Sequence, residues 1–155
     1  MNPIQPLNLP KTNLNLSKKG DKIFVFCLIR RKHILLTPEE WVRQHFIAYL
    51  NNVLGHPIEA ISIEKSLNYF GMTKRWDIVV YNSEFNPNIL IECKAPQVTL
   101  GENTLGQVLS YQNQLQCEFI GITNGINHFF WQVSDSERKI MAITELPIKR
   151  KINLD

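Results

Sequence analysis

Trp76-Asp77-Ile78-Val79-Val80-Tyr81, followed after a polar turn by Asn88-Ile89-Leu90-Ile91-Glu92-Cys93-Lys94-Ala95-Pro96, is the stretch that decides how this chain reads. Both runs are rich in β-branched residues. They are separated by Asn82-Ser83-Glu84-Phe85-Asn86-Pro87, a cluster of turn-forming residues. So short a connection predicts two antiparallel neighbouring strands, and Pro96 stops the second. Residues two apart on a strand share a face. Glu92 and Lys94 therefore project together with Leu90, while Ile91 and Cys93 point to the opposite, apolar side. In an antiparallel pair the start of the first strand lies beside the end of the second. Asp77 then joins Glu92 and Lys94 at one rim of the sheet. Charge placed beside a core costs several kcal/mol unless it is paired or bound to a metal.

Working outward, helix-start signals converge just upstream. Thr37 is a good N-cap, Pro38 suits the first helical position, and Glu40 completes a capping box. Val42, Phe46, Tyr49, Leu50 and Val53 then form one apolar face, predicting a helix over 38–54 that ends near Gly55. Before it, Ile23–Ile29 and Ile34–Leu36 flank Arg30-Arg31-Lys32-His33 and read as a hairpin with a basic turn. Ile58–Glu64 reads as a strand, with Gly71 as a turn. Downstream, Leu105, Val108, Leu109, Gln112 and Leu115 mark a helix near 103–115. Phe119–Thr123, Asn124-Gly125 and Asn127–Val133 read as strand, tight turn, strand. Ile140–Thr144 is a last short strand. The expected fold is α/β (α+β), a mixed central sheet flanked by helices with an N-terminal β-hairpin. The expected organisation is an arm at 1–21, one domain over 22–145, and a basic tail at 146–155 carrying Lys149-Arg150-Lys151.

Composition narrows the classes. With 155 residues the chain is one domain's worth, and 44% hydrophobic against 20% charged residues excludes a disordered chain or a coiled coil. A net charge of +3 permits a polyanionic partner without demanding one. Cys27, Cys93 and Cys117 lack C-x-x-C spacing, which excludes a zinc ribbon and fits free thiols in a reducing, cytoplasmic compartment. The longest aliphatic-aromatic stretch, Ile23 to Ile29, is far short of the ~20 residues needed to cross a bilayer, so no membrane partner is expected. Gly101 and Gly106 have the spacing of a phosphate-binding loop. Gln107-Val108 stand where Lys-Ser/Thr is required, so no nucleotide cofactor is expected. His33, His45, His56 and His128 show no ligand spacing.

Two carboxylates and a lysine at one rim suit a hard divalent cation, because Mg²⁺ takes oxygen ligands and keeps several waters. Such an ion lowers the pKa of a bound water and offsets charge on a phosphate, and the lysine can hold the attacking water. The same residues also fit a solvated ion pair at a strand end. Lys74 and Arg75, just before Asp77, could hold a phosphate. Arg30, Arg31 and Lys32 could reach a DNA backbone. Phe129-Phe130-Trp131 could stack bases, with alternation placing Phe130 in the core.

Asp77 followed by Ile91-Glu92-Cys93-Lys94-Ala95-Pro96 resembles the PD-(D/E)xK nuclease superfamily, most closely the N-terminal nuclease domain of type I restriction enzyme R subunits. Leu36-Thr37-Pro38-Glu39-Glu40-Trp41-Val42-Arg43-Gln44 resembles that family's first helix. Arg75–Tyr81 resembles its metal-binding strand, and Gln107-x-x-x-Tyr111 its later helical motif. Ile122-Thr123-Asn124-Gly125 resembles the strand end that follows. The likeness covers roughly residues 22–133 and departs at Trp76, where the superfamily's name has proline. It implies a restriction-endonuclease-like core. Asp77, Glu92 and Lys94 would be catalytic. Asp77, Glu92 and the Cys93 carbonyl would be ligands of Mg²⁺ (Mn²⁺ can substitute), and Glu40 or Glu64 would be a further acid. Gln107 and Tyr111 would lie over the active site, contacting substrate or orienting the metal cluster, with the basic Lys74 and Arg75 as the other substrate-binding candidates. The implied function is a DNA endonuclease lacking the ATP-driven translocase, with DNA and other restriction-modification subunits as partners. The alternative is a nuclease-derived module that binds nucleic acid or protein without cleaving. Oligomeric state is not legible in the sequence.

Overall fold

The computed structural model of the chain describes residues 3–149 other than 135 and 138, and leaves out the side chains of residues 65–69, 72 and 74. Among the described residues nine strands and two α-helices follow one another, in groups of three strands separated by the helices. A three-stranded antiparallel sheet comes first: β1 (Leu16–Lys19), β2 (Lys22–Cys27) and β3 (Lys32–Leu35). Then follow α1 (Pro38–Ala48), β4 (Ile61–Tyr69), β5 (Met72–Tyr81), β6 (Pro87–Cys93), α2 (Glu102–Leu115), β7 (Phe119–Thr123), β8 (His128–Ser134) and β9 (Lys139–Ile143). The central sheet has the order β4-β5-β6-β7-β8-β9. Every pairing is antiparallel except β6 with β7, which α2 joins as the crossover that parallel strands need.

The two faces of this sheet carry separate apolar clusters. Ile78, Val80, Ile89, Ile91 and Cys93 pack with Val42, Phe46, Ile47 and Leu50 of α1 and its extension. Trp76, Val79, Leu90, Ile120 and Ile122 pack with Val108 and Tyr111 of α2. The expected alternation of Leu90 against Ile91 and Cys93 is therefore the division between the two clusters. Gly121 sits where the faces close most tightly: a Cβ there would lie 2.6 Å from Phe130 Cδ1 and 2.8 Å from Ile91 Cδ1.

Several elements depart from the sequence expectation. The helix expected over 38–54 is α-helical only to Ala48, and Tyr49–Val53 continues as a wider π-type turn closed by Leu54 N–H donating to the Tyr49 carbonyl at 3.1 Å. Residues four apart drift by about 40° on a straight α-helix. The wider turn takes that drift back, so Phe46, Leu50 and Leu54 all stay buried. Residues 58–60 form a 3-10 turn, and β4 runs past Glu64 to Tyr69, making a longer hairpin with β5 through Gly71 at φ +75°. The N-terminal segment read as a surface arm supplies β1, and Leu7 and Leu9 pack on the core. Of the basic tail, Lys149 donates its N–H to the Leu54 carbonyl at 2.8 Å, and residues 150–155 lie outside the described residues.

Candidate active site

The β5–β6 ladder runs from Tyr81 to the pair Ile78↔Ile91 and then stops. On the other side, the β4–β5 ladder passes from Ile63↔Ile78 to Lys65↔Trp76 and skips the rung between Glu64 and Asp77. Glu64 takes φ +48°, a left-handed conformation uncommon for a side chain with Cβ. Asp77 thus stands at a skipped rung on the β4 side and just past the end of the ladder on the β6 side. Its side chain fills one gap: Oδ2 accepts the Cys93 N–H at 2.7 Å, in place of the next backbone rung. Oδ1 accepts from Arg43 Nη2 of α1 at 2.8 Å.

Glu92, only 3% exposed, projects beside Asp77. Burial first, and the neighbouring Asp77 charge second, push its carboxyl up to about 8, against the partial relief given by Lys94. Its Oε1 is 3.7 Å from Lys94 Nζ, and its Oε2 is buried without a hydrogen-bond partner among the described residues. Lys94 Nζ donates to Gln107 Oε1 at 3.1 Å, and Gln107 Nε2 donates to Tyr111 Oη at 3.2 Å. The parallel pairing of β6 with β7 fixes the backbone here, with Lys94 N–H donating to the Thr123 carbonyl at 2.8 Å. One rim therefore gathers Asp77, Glu92 and Lys94, with Gln107 and Tyr111 of α2 behind the lysine.

The acids of α1 and β4 divide differently from either sequence alternative. Thr37 Oγ1 accepts the Glu40 N–H at 3.1 Å, as the cap requires. The Glu40 carboxylate turns away to accept from Arg43, from Gln44 at 2.9 Å and from Arg30 at 3.2 Å. Glu64 is bound by Arg30, by Arg75 at 2.7 Å, and lies 3.6 Å from Arg43. Burial works to raise Glu64, but the Arg30 hydrogen bond and the charges of Arg30, Arg43 and Arg75 outweigh it and hold the group down. Both acids thus belong to an arginine-bridged network. Glu39, which the sequence reading passed over, has its side chain 43% exposed and accepts from Arg43 Nη2 at 2.8 Å. Partial burial and the charge of Asp77 raise it, while Arg43 and Lys94 draw it down. Those neighbours place it at the mouth of the rim.

Of the basic candidates, Arg30 is withdrawn into the network, and Arg75 is paired with Glu64 while remaining largely exposed. The Lys74 side chain lies outside the described residues. The Cys93 thiol faces the core, where burial raises it well above its ordinary range. Phe130 is buried, and Phe129 is half exposed and stacks on Trp131 at 6.5 Å between ring centroids. Among the described residues, no group of three or more His, Cys, Asp or Glu side chains is placed to hold a metal ion. Within the same residues, no helix is long and apolar enough to cross a membrane.

A mixed six-stranded sheet flanked by two helices, with paired acids and a lysine at the parting of its strands, defines an α/β domain with a polar rim. The family model for the type I restriction enzyme R protein N terminus (HSDR_N) matches residues 38–147, and the chain belongs to that family. No curated protein matches the chain. A solved structure described as a fragment of an HsdR subunit of a type I restriction enzyme from Vibrio vulnificus YJ016 is similar over 57% of this chain, at 21% sequence identity and a TM-score of 0.37. The shared part is 16% of that chain.

Proposed function

We propose that this chain is a divalent-metal-dependent DNA endonuclease domain of restriction-enzyme type, hydrolysing phosphodiesters at the Asp77–Glu92–Lys94 rim. The observation that carries the reading is the Glu92 carboxylate: it is buried beside a second acid, and its Oε2 has no donor among the described residues. A buried acceptor in that position is costly. A hard cation would offset both the crowding and the unmet oxygen, so the residues present fit Mg²⁺ or Mn²⁺. Asp77, Glu92 and the Cys93 carbonyl would hold the ion, with Glu39 rather than Glu40 or Glu64 as the further acid. When bound, it would lower the pKa of a coordinated water and offset charge on the scissile phosphate.

The chain's own groups supply the rest. Lys94 Nζ, held from behind by Gln107, orients the attacking water and brings positive charge to the phosphorane as it forms. Gln107, itself held by Tyr111 on the rigid helix α2, fixes the lysine, which favours a narrow range of attack geometries. Arg75, at 62% side-chain exposure, remains able to meet a DNA phosphate beside the rim, with Lys74 next to it in sequence.

A second reading, a nuclease-derived module that binds nucleic acid or protein without cleaving, draws on both Asp77 oxygens being engaged and on the lack, among the described residues, of three His, Cys, Asp or Glu side chains placed to hold a metal ion. A plasmid-nicking time course with Mg²⁺, Mn²⁺ or EDTA separates the two. Cleavage by wild type that is lost in Lys94→Ala, with DNA affinity retained, supports the endonuclease. DNA affinity without cleavage under any metal supports the module. Equal cleavage by both proteins would place the chemistry elsewhere.

A further inference from the structure

Arg43 is 3% exposed, and its partners are gathered at the two terminal nitrogens, since Nε is buried with no hydrogen-bond partner among the described residues. Its two terminal nitrogens face different structures. Nη1 donates to Glu40 and lies 3.6 Å from Glu64, within the network that reaches Arg30 beyond β2. Nη2 is shared between Glu39 Oε1 and Asp77 Oδ1, both at 2.8 Å. The Cys93 N–H at 2.7 Å fixes the other oxygen of Asp77. Two donors on two oxygens set the plane of a carboxylate. No ladder rung pairs Asp77 with either neighbouring strand. Trp41, also on α1, donates its Nε1 to the Gln5 carbonyl at 2.9 Å and so ties the N-terminal segment to this helix.

We propose that Arg43 is a positioning residue of the rim: its planar fork, anchored on Glu40, sets the orientation of the Asp77 and Glu39 carboxylates toward a divalent cation. The inference rests on the reading above that Asp77 and Glu92 hold that ion. It concerns geometry rather than charge. A lysine keeps the charge but offers a single nitrogen, which cannot meet Glu40 and Asp77 from opposite sides. A glutamine keeps a planar donor but removes the charge and the anchor. On charge alone, removing a cation from this acidic cluster would tighten metal binding. Positioning predicts the opposite.

The test is Mn²⁺ titration of the full chain, followed by the electron paramagnetic resonance signal of free Mn²⁺. Wild type, Arg43→Lys, Arg43→Gln and Asp77→Asn are run in parallel, with near-ultraviolet circular dichroism of the tryptophans reporting the fold. The expected result is a saturable site in wild type that is lost in Asp77→Asn. It should be weakened about 10–100-fold in Arg43→Lys and in Arg43→Gln, as loss of a hydrogen bond behind a metal ligand typically does. Arg43→Lys preserves the neutralising charge among the acids, so it remains informative if Arg43→Gln does not fold. Unchanged or tighter Mn²⁺ binding in a folded Arg43 variant overturns the positioning role, while loss of the site in Asp77→Asn leaves the endonuclease reading standing. A lowered melting temperature with unchanged affinity means Arg43 is an anchor of the fold only, and also overturns it. A wild type without a saturable site that Asp77→Asn removes overturns the metal reading itself, and this inference with it.

Discussion

Replacing Glu92 by glutamine should stabilise the chain by an amount that grows with pH. The carboxyl is pushed from its ordinary 4.5 up to about 8 in the folded protein, by burial and then by the charge of Asp77. The folded state therefore holds a proton that the unfolded chain releases between those two values. Where the folded state binds more protons, stability falls as pH rises. The cost is absent near the lower value, accumulates through the window and levels off above the upper one. At about 1.36 kcal/mol per pH unit, its ceiling is on the order of 5 kcal/mol. Water entry, side-chain relaxation and the nearby Lys94 ammonium will reduce it, and a measured gain of about 1–3 kcal/mol at pH 8.5 is expected. Glutamine has the same shape and no charge to desolvate. The assay is urea unfolding followed by tryptophan fluorescence, in EDTA, for wild type and Glu92→Gln at pH 5, 7 and 8.5. The difference between the two curves isolates Glu92 from Glu39 and Glu64, which titrate in both proteins. A difference that stays flat from pH 5 to 8.5, or shrinks, would refute the assignment of Glu92 as a strained buried acid. Adding Mn²⁺ at pH 8.5 should stabilise wild type by mass action and leave Glu92→Gln nearly unmoved.

The two adjacent acids of α1 should separate cleanly. Glu40→Gln leaves Arg30 and Arg43 short of a buried partner and should cost about 3–5 kcal/mol in urea unfolding. Glu39→Gln should change stability by less than about 1 kcal/mol yet weaken Mn²⁺ binding, and an unchanged Mn²⁺ titration would remove Glu39 from the site. Gln107→Ala should lower the cleavage rate about 10-fold or more while leaving Mn²⁺ affinity within about two-fold, because the lysine it holds acts chiefly in the transition state. Equal losses in both would place Gln107 on the metal. Gly121→Ala should destabilise by about 1–3 kcal/mol by overpacking, since the new methyl would lie 2.6 Å from Phe130 Cδ1. A neutral result in thermal melts would mean the sheet faces give way there and refute the overpacking argument.

The signals that lie within a few residues of one another were legible in the chain. The Thr37 cap and the apolar spacing behind it located α1, and two β-branched runs around a short turn located β5 and β6 as antiparallel neighbours. The strand period then put Glu92 and Lys94 on one face and Asp77 across from them, and the spacing of Gln107 and Tyr111 put both on one side of α2. These follow from backbone geometry, which repeats locally and so can be read locally. What tertiary structure decided was the pairing of charges. Glu39, Glu40 and Glu64 are the same kind of residue, and no local period says which will face the rim. The rotation of α1, set by burying Val42, Phe46 and Leu50, turned Glu40 toward Arg30 and left Glu39 toward Asp77. Arg30 read as a cation able to reach a DNA backbone and Arg43 carried no role, because Glu64 and Asp77, which bind them, each stand 34 residues away in sequence. The π-type turn after Ala48 was hidden for a related reason, since it answers the packing of Leu50 and Leu54 on the sheet and not any helix-ending residue at that point. Electrostatic satisfaction of buried groups is a property of the assembled fold. Its cost falls due only when water is excluded, and that happens only once distant elements have packed.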